Sequence, residues 1–252
     1  GNGMEERLRR GGYGAECGAA LREAVVALFE RRENAPTASS SPYAVILSGG
    51  VDTSALVAAL SELAMPAPAA LVTVNINIES AESERREGEG HALNASARDA
   101  AYAAAVARTY YPSVPHLVVA VQSRAALESA CRDCVQHLRS FDGMAVRNAV
   151  VPYMAMRRVR EEIPDVRTFL TGDGADELLG GYSFFWGYEG ARFVEERAKM
   201  CREWTFSTVA LARVLGCEAL SPFLQKRFVD WALRQPKEAC VGRCNLRIER
   251  DE

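Results

Sequence analysis

The chain has 252 residues and a formal net charge of -3, with 48% hydrophobic and 25% charged residues. That is ordinary for a soluble globular protein and is enough chain for one large α/β domain or a small pair. A global basic field that would recruit nucleic acid is excluded, which leaves only a local arginine-rich face.

No apolar run is long enough to span a membrane, and no secretory signal is visible. The seven cysteines are an odd, scattered set and read as reduced thiols, so the expected compartment is the cytoplasm. Gly1-Asn2-Gly3 before Met4 reads as a cloning remnant. Asn94-Ala95-Ser96 has the form of a glycosylation acceptor, which in a cytoplasmic chain is a chance match.

Residues 15–32 predict an amphipathic helix with Leu21, Val25, Leu28 and Phe29 on one face. Pro36 and the Ser39-Ser40-Ser41-Pro42 cluster predict a loop. Residues 43–47 form a buried-strand run, and 53–64 a helix closed by Pro66 and Pro68. A second strand is expected over 71–76. Residues 77–96 are polar, with no apolar period, and suggest a mobile loop or lid. A helix over 97–109, a strand over 117–121, a helix capped by Ser123 and ending near Arg139, and a helix over 145–162 follow. Residues 167–171 give a fourth strand. From Gly190 onward the pattern is helical, broken at Gly216, at Pro222 and after Gln235, with no strand signal. Strands alternating with helices imply a central parallel sheet of about five strands with helices on both faces and a helical C-terminal part. Residues 1–41 form an N-terminal helix and loop, and 42–252 the main domain.

Two short segments carry chemistry. Ser48-Gly49-Gly50-Val51-Asp52-Thr53-Ser54 turns a strand into a helix. Its glycines permit close backbone approach, its hydroxyls and the new helix's free amides suit phosphate anions, and Asp52 beside phosphate suggests a bridging Mg²⁺. The Lys of a Walker A loop is missing, as is the G-x-G-x-x-G of a dinucleotide site. Thr171-Gly172-Asp173-Gly174-Ala175-Asp176-Glu177 follows the fourth strand in the same way. Its three acidic groups repel one another and call for a cation or an altered protonation state.

The first segment resembles the PP-loop of the ATP pyrophosphatases, which cleave ATP between the α and β phosphates. The second, extended through Leu178-Leu179-Gly180-Gly181-Tyr182, resembles the S-G-E-G-S-D-E-x-x-G-G-Y signature of the asparagine synthetase C-terminal domain. Residues 97–100, Phe141-Asp142 with 148–156, 218–224 and Leu246-Arg247 resemble further family segments, so the likeness runs over about 42–248.

The resemblance implies an adenine-nucleotide α-hydrolase-like fold and an AMP-forming amide ligase using ATP and Mg²⁺. Aspartate and ammonia are the default carboxylate and amine substrates. It implies that Leu47 and Val74 cup adenine, that Thr171 and Gly172 contact the nucleotide, and that Ser48, Gly49, Gly50, Asp52, Thr53 and Ser54 hold the pyrophosphate. Asp52 and Asp176 would carry Mg²⁺. Asp173 stands where asparagine synthetases place a Glu proposed to deprotonate the amine, and Arg243 stands in place of a Lys that stabilises the adenylation transition state.

About 40 residues precede the first motif, too few for the family's glutaminase domain. Ammonia is therefore expected from solution or from a separate partner protein. Leu220 and Gln225 replace a family Arg and Asp. Two other readings stay open: a PP-loop enzyme that adenylates a tRNA base for thiolation, and a catalytically silent nucleotide-binding relative. Neither a nucleic acid nor a membrane is an expected partner. Cys131-Arg132-Asp133-Cys134 falls in a helical pattern and is expected to be a helix-face pair rather than a metal site. The aromatic run from Tyr182 to Tyr188 is expected to be core or an oligomer contact, and His91, His116 and His137 have no metal spacing.

Overall fold

A computed structural model describes residues 12–33, 42–78 and 95–241. The expected loop at 77–96 falls almost wholly outside these residues, as does Arg243. The described chain runs α1 (Gly12–Glu33), β1 (Tyr43–Ile46), α2 (Val51–Glu62), β2 (Ala70–Ile76), α3 (Ala95–Tyr110), β3 (His116–Val121), α4 (Arg124–Leu138), α5 (Gly143–Glu162) and β4 (Thr168–Leu170). It continues through α6 (Ala175–Leu179), a 3-10 turn (Ser183–Gly187), α7 (Gly190–Glu203), α8 (Ser207–Val214), β5 (Glu218–Leu220), a second 3-10 turn (Pro222–Leu224), α9 (Lys226–Leu233) and α10 (Lys237–Cys240).

The five strands form one sheet in the order β3-β2-β1-β4-β5, every pairing parallel. Such a sheet must be covered on both faces, and the period of two along β1 shows how. Tyr43, Val45 and Leu47 enter a core shared with α1, α2, α3, α6 and α9. Ala44 and Ile46 enter the opposite core, shared with α4, α5 and α8. The expected α1 face is confirmed: Leu21, Val25, Leu28 and Phe29 are all buried against the first core. Fully buried side chains of this size each contribute about 1.5–3 kcal/mol of transfer free energy.

Local signals set the helix ends. Ser123 accepts a hydrogen bond from the Ala126 amide at 3.1 Å, and α4 closes on Arg139 in the left-handed region. Asp142 caps α5 by accepting from the Met144 and Ala145 amides at 2.8 and 3.1 Å.

The C-terminal third differs from expectation in one respect. Residues 218–220 form β5, pairing with β4 at the sheet edge. Three residues are too few for an alternation to show, and an edge strand needs only one apolar face. Glu218 is exposed and accepts a hydrogen bond from the Thr168 hydroxyl at 2.8 Å. Among the described residues no helix is long and apolar enough to cross a membrane.

Candidate active site

The chain builds β1, β2 and β3 outward in one direction and then returns to add β4 and β5 on the other side of β1. The point where strand order reverses lies between β1 and β4, and the crevice beyond the carboxyl ends of such strands is where α/β sheets bind ligands. Both motifs lie there, one leaving β1 and the other leaving β4. A cavity of about 360 Å³ opens between them, lined by Ser48, Asp52 and Thr53 on one side and Thr171, Gly172 and Asp173 on the other.

The first loop holds itself in shape. Ser48 Oγ and Thr53 Oγ1 lie 3.0 Å apart, the Ser48 amide donates to Thr53 Oγ1 at 3.2 Å, and the Gly50 amide donates to Ser48 Oγ at 3.2 Å. The Ser54 hydroxyl donates to the Gly50 carbonyl at 2.8 Å. Gly49 has a φ of +90°, and a Cβ there would fall 2.0 Å from the Asp99 carbonyl oxygen of α3. Only glycine fits both demands. The N-cap of α2 is Gly50, which has no side chain to cap the first turn. The positive end of the helix therefore has no side-chain cap and suits an anion.

The other nucleotide candidates take different places. The Leu47 side chain is fully buried. Its amide donates to the Val72 carbonyl at 2.8 Å, and its carbonyl accepts from the Thr73 hydroxyl at 2.7 Å. Thr73 also meets His116 Nε2 at 2.8 Å, which ties β1, β2 and β3 together just below the loop. Val74 is half-buried toward the end of β2, paired with Val119.

In the second motif, Thr171 is buried and its amide donates to the Leu220 carbonyl at 3.0 Å, so β5 fixes the turn from outside. The Asp173 amide donates to Thr171 Oγ1 at 3.4 Å, and the Asp173 carbonyl accepts from Ser221 Oγ at 2.6 Å. The Asp173 carboxyl sits above the usual carboxylate range. Burial is the largest cause, hydrogen bonds from Thr171 and Thr208 oppose it, and the charge of Glu177 adds to it.

Asp52 and Asp176 come together electrostatically. Burial first, then the charges of Asp176 and Glu177, push Asp52 up to about 6. Burial also raises Asp176. Glu177 accepts a hydrogen bond from the Tyr182 hydroxyl at 2.6 Å. Among the described residues no three His, Cys, Asp or Glu side chains form a metal cage by themselves. Cys131 and Cys134 lie on α4, the latter fully buried in the second core.

Sequence reading missed part of the wall. Arg147, Asn148, Val151 and Pro152 of α5 and Thr208 of α8 also line the cavity. The α5 residues fall at i, i+1, i+4 and i+5, so helical spacing groups them on one face once the helix is known. Thr208 carries no motif at all.

Comparison with known proteins agrees with this layout. The asparagine synthase family model matches residues 24–203, which include both motifs. The chain is 26% identical over 218 residues to a probable glutamine-hydrolysing asparagine synthetase of Dictyostelium discoideum, covering 83% of this chain and 37% of that protein. It is 26% identical over 208 residues to glutamine-hydrolysing asparagine synthetase 1 of Arabidopsis thaliana, covering 79% and 32%. To asparagine synthetase B of Escherichia coli strain K12 it is 28% identical over 119 residues, covering 45% and 21%. The chain thus spans between about a fifth and two-fifths of the length of these relatives. With both motifs inside the matched span, the chain belongs to the asparagine synthase family.

Proposed function

We propose that this chain is the synthetase part of an AMP-forming, ATP-dependent amide ligase of the asparagine synthetase type. The observation that carries the reading is the meeting of the two motifs at adjacent strand ends, on either side of one cavity.

In the first step a substrate carboxylate oxygen attacks the α-phosphorus of ATP. The bond to the bridging oxygen breaks and pyrophosphate leaves. In the second, an amine attacks the acyl carbon, the C–N bond forms, the C–O bond to AMP breaks with its electron pair on AMP, and the nitrogen's proton passes to Asp173. Ser48, Gly49, Gly50, Thr53 and Ser54 would hold the pyrophosphate on the loop and the α2 amides. Thr171 and Gly172 would meet the nucleotide, and Val74 the adenine. Leu47 has its side chain in the core, so any adenine contact falls to its backbone. Arg243 would offset charge in the adenylation transition state.

Asp52 and Asp176 would hold Mg²⁺. Two half-buried carboxylates held above their ordinary proton affinity, Asp176 by burial and Asp52 by burial and the Asp176 charge, fit a hard cation that takes its remaining ligands from phosphate and water. When bound, the ion supplies charge neutralisation for the departing pyrophosphate.

A thiolation enzyme would need an activated cysteine near the loop. Among the described residues Cys17 is the thiol that feels the Asp52 charge, and burial, Cys240 and Asp52 all push it up, away from thiolate. That favours the ligase reading over the tRNA one.

The test is release of pyrophosphate and AMP from MgATP, with and without aspartate plus ammonium, with Asp176→Ala alongside. Stimulation by the pair, lost in the variant, is the expected result. Release indifferent to aspartate moves the search to another carboxylate. ATP binding with no release under any acceptor sinks the ligase reading in favour of a silent nucleotide binder.

A further inference from the structure

We propose that Gly181 is a positioning residue for Mg²⁺: the side chain it lacks leaves the Asp176 carboxylate the space which that carboxylate occupies. The proposal rests on the ligase reading above, in which Asp52 and Asp176 would hold the ion.

Helix α6 ends in a turn that folds back on the helix's own first residues. Gly180 has a φ of +69°, the left-handed value that closes a helix, and its amide donates to the Asp176 carbonyl. The Gly181 amide donates to the same carbonyl at 2.9 Å. The backbone of Asp176 is thus tied to the glycines that follow the helix.

These glycines answer different demands. Gly180 is required by its φ. Gly181 is not among the glycines with positive φ, so its backbone conformation suits any residue. It is also exposed, so the core sets no limit on its size. What excludes a side chain there is Asp176. A Cβ on Gly181 would fall 2.8 Å from Asp176 Cγ and closer still to Oδ1, with Asp176 Cα next at 3.2 Å. The carboxylate therefore lies in the volume that a side chain at 181 would fill.

The same turn disposes of the neighbouring acid. The Tyr182 hydroxyl donates to Glu177 Oε1 at 2.6 Å. Asp176 and Glu177 are adjacent and carry the same chemical group. The turn engages one with a hydroxyl and makes room for the other. A hard cation is held by carboxylate oxygens placed within a few tenths of an ångström, so this sorting decides which acid serves it.

An alanine methyl at 181 must displace the Asp176 carboxylate, the movable end of a side chain, and not the backbone. Gly181→Ala should therefore harm metal binding while sparing the fold and the phosphate loop. Damage to the turn as a whole would weaken ATP binding with or without the ion.

The experiment measures ATP affinity by calorimetry, in Mg²⁺ and in EDTA, for the parent, Gly181→Ala, Asp176→Ala and the double variant. In Gly181→Ala the gain in affinity that Mg²⁺ brings is expected to fall about tenfold or more, the scale for disturbing a group that orients a metal ligand. Affinity in EDTA is expected to stay unchanged. With the carboxylate already removed, adding Gly181→Ala to Asp176→Ala is expected to cost nothing further. Glu177→Gln is expected to keep most of the gain. The proposal is overturned by an undiminished gain in Gly181→Ala, by a loss that persists in EDTA or in the Asp176→Ala background, or by a loss in Glu177→Gln as large as that in Asp176→Ala.

A second readout needs neither metal nor nucleotide. The carboxyl ¹³C resonance of Asp176, assigned by difference with Asp176→Asn, is expected to move in metal-free Gly181→Ala, and an unmoved resonance overturns the contact. Parent protein that binds no ATP, or binds it alike with and without Mg²⁺, overturns the metal assignment of the ligase reading instead. The resonance then decides separately whether Gly181 places Asp176.

Discussion

A Cβ placed on Gly172 would lie 3.0 Å from Thr53 Cγ2 and 3.2 Å from Asp52 Cβ. Two loops separated by most of the domain therefore touch with no room for a methyl group. Gly172→Ala should push Thr53 and the loop hydroxyls out of place and weaken ATP binding about tenfold or more, measured by calorimetry. Thr53→Ser removes the methyl in the way and keeps the hydroxyl. The double variant Thr53→Ser/Gly172→Ala is expected to bind ATP more tightly than Gly172→Ala alone, the non-additivity that contact predicts. Additive losses would show that the two residues do not share a space.

The Asp52 carboxyl, raised to about 6, gives a stability signature with a definite sign. Its unfolded value is near 3.9, so between about pH 4 and pH 6 the folded state binds more protons than the unfolded one. This group's stabilising contribution is fully present below pH 4 and is lost as pH rises through 6. Asp52→Asn should therefore stabilise the nucleotide-free protein at pH 7–8 by about 1–2 kcal/mol, after discounting for the group's partial exposure. Urea unfolding at pH 4.5 and pH 7.5 checks this, and the gain should be much smaller at the lower pH. A gain independent of pH would refute the assignment.

How much of this could be read in the chain depends on where each residue sits. Ser48–Ser54 and Thr171–Glu177 are contiguous, and a loop that turns a strand into a helix writes its needs into consecutive glycines, hydroxyls and acids. The strands at 43–46, 70–76 and 168–170 show as apolar runs because both faces of the inner sheet are covered, and the half-buried edge strand at 116–121 keeps the apolar run Leu117–Val121. β5 was invisible because three residues at an edge need no pattern. Arg147 and Thr208 were missed for another reason. Each reaches the cavity from a separate helix, and nothing in α5 or α8 alone says which face meets β1 and β4. Only the strand order brings them to one crevice.

Arg147 is the cation lining the cavity among the described residues. Its place on α5, lining the same cavity as Ser48, Asp52 and Thr53, suits a carboxylate or phosphate oxygen. Arg147→Met is expected to raise KM for the carboxylate substrate about tenfold to a hundredfold, the scale of a lost charge-assisted hydrogen bond. Arg147→Lys should restore charge but not the two-pronged geometry, and so recover only part. The measurement is KM for the carboxylate at saturating ATP, and an unchanged value in Arg147→Met would remove Arg147 from substrate binding.

Arg197 of α7 is fully buried and does not line the cavity. Its guanidinium donates to the carbonyls of Leu178, Leu233 and Gln235 at 3.3, 3.0 and 2.9 Å and to Cys240 Sγ at 3.1 Å, with the Phe193 ring 4.9 Å away. It thereby ties the helix that carries Asp176 to the end of α9 and to α10. The last carbonyls of α6 and α9 have no further turn of helix to donate to them, so a cation placed there satisfies acceptors that burial would otherwise orphan. Arg197→Met fills the space but strands those carbonyls, and is expected to cost about 3–5 kcal/mol in urea unfolding. Arg197→Lys keeps the charge on three donors with no fixed fork, and should recover only part of the loss. Because the lost contacts include Leu178, both variants should also weaken any effect of Mg²⁺ on stability in the presence of ATP. A destabilised variant whose Mg²⁺ response equals that of the parent would show that the staple and the Asp176 helix are energetically independent.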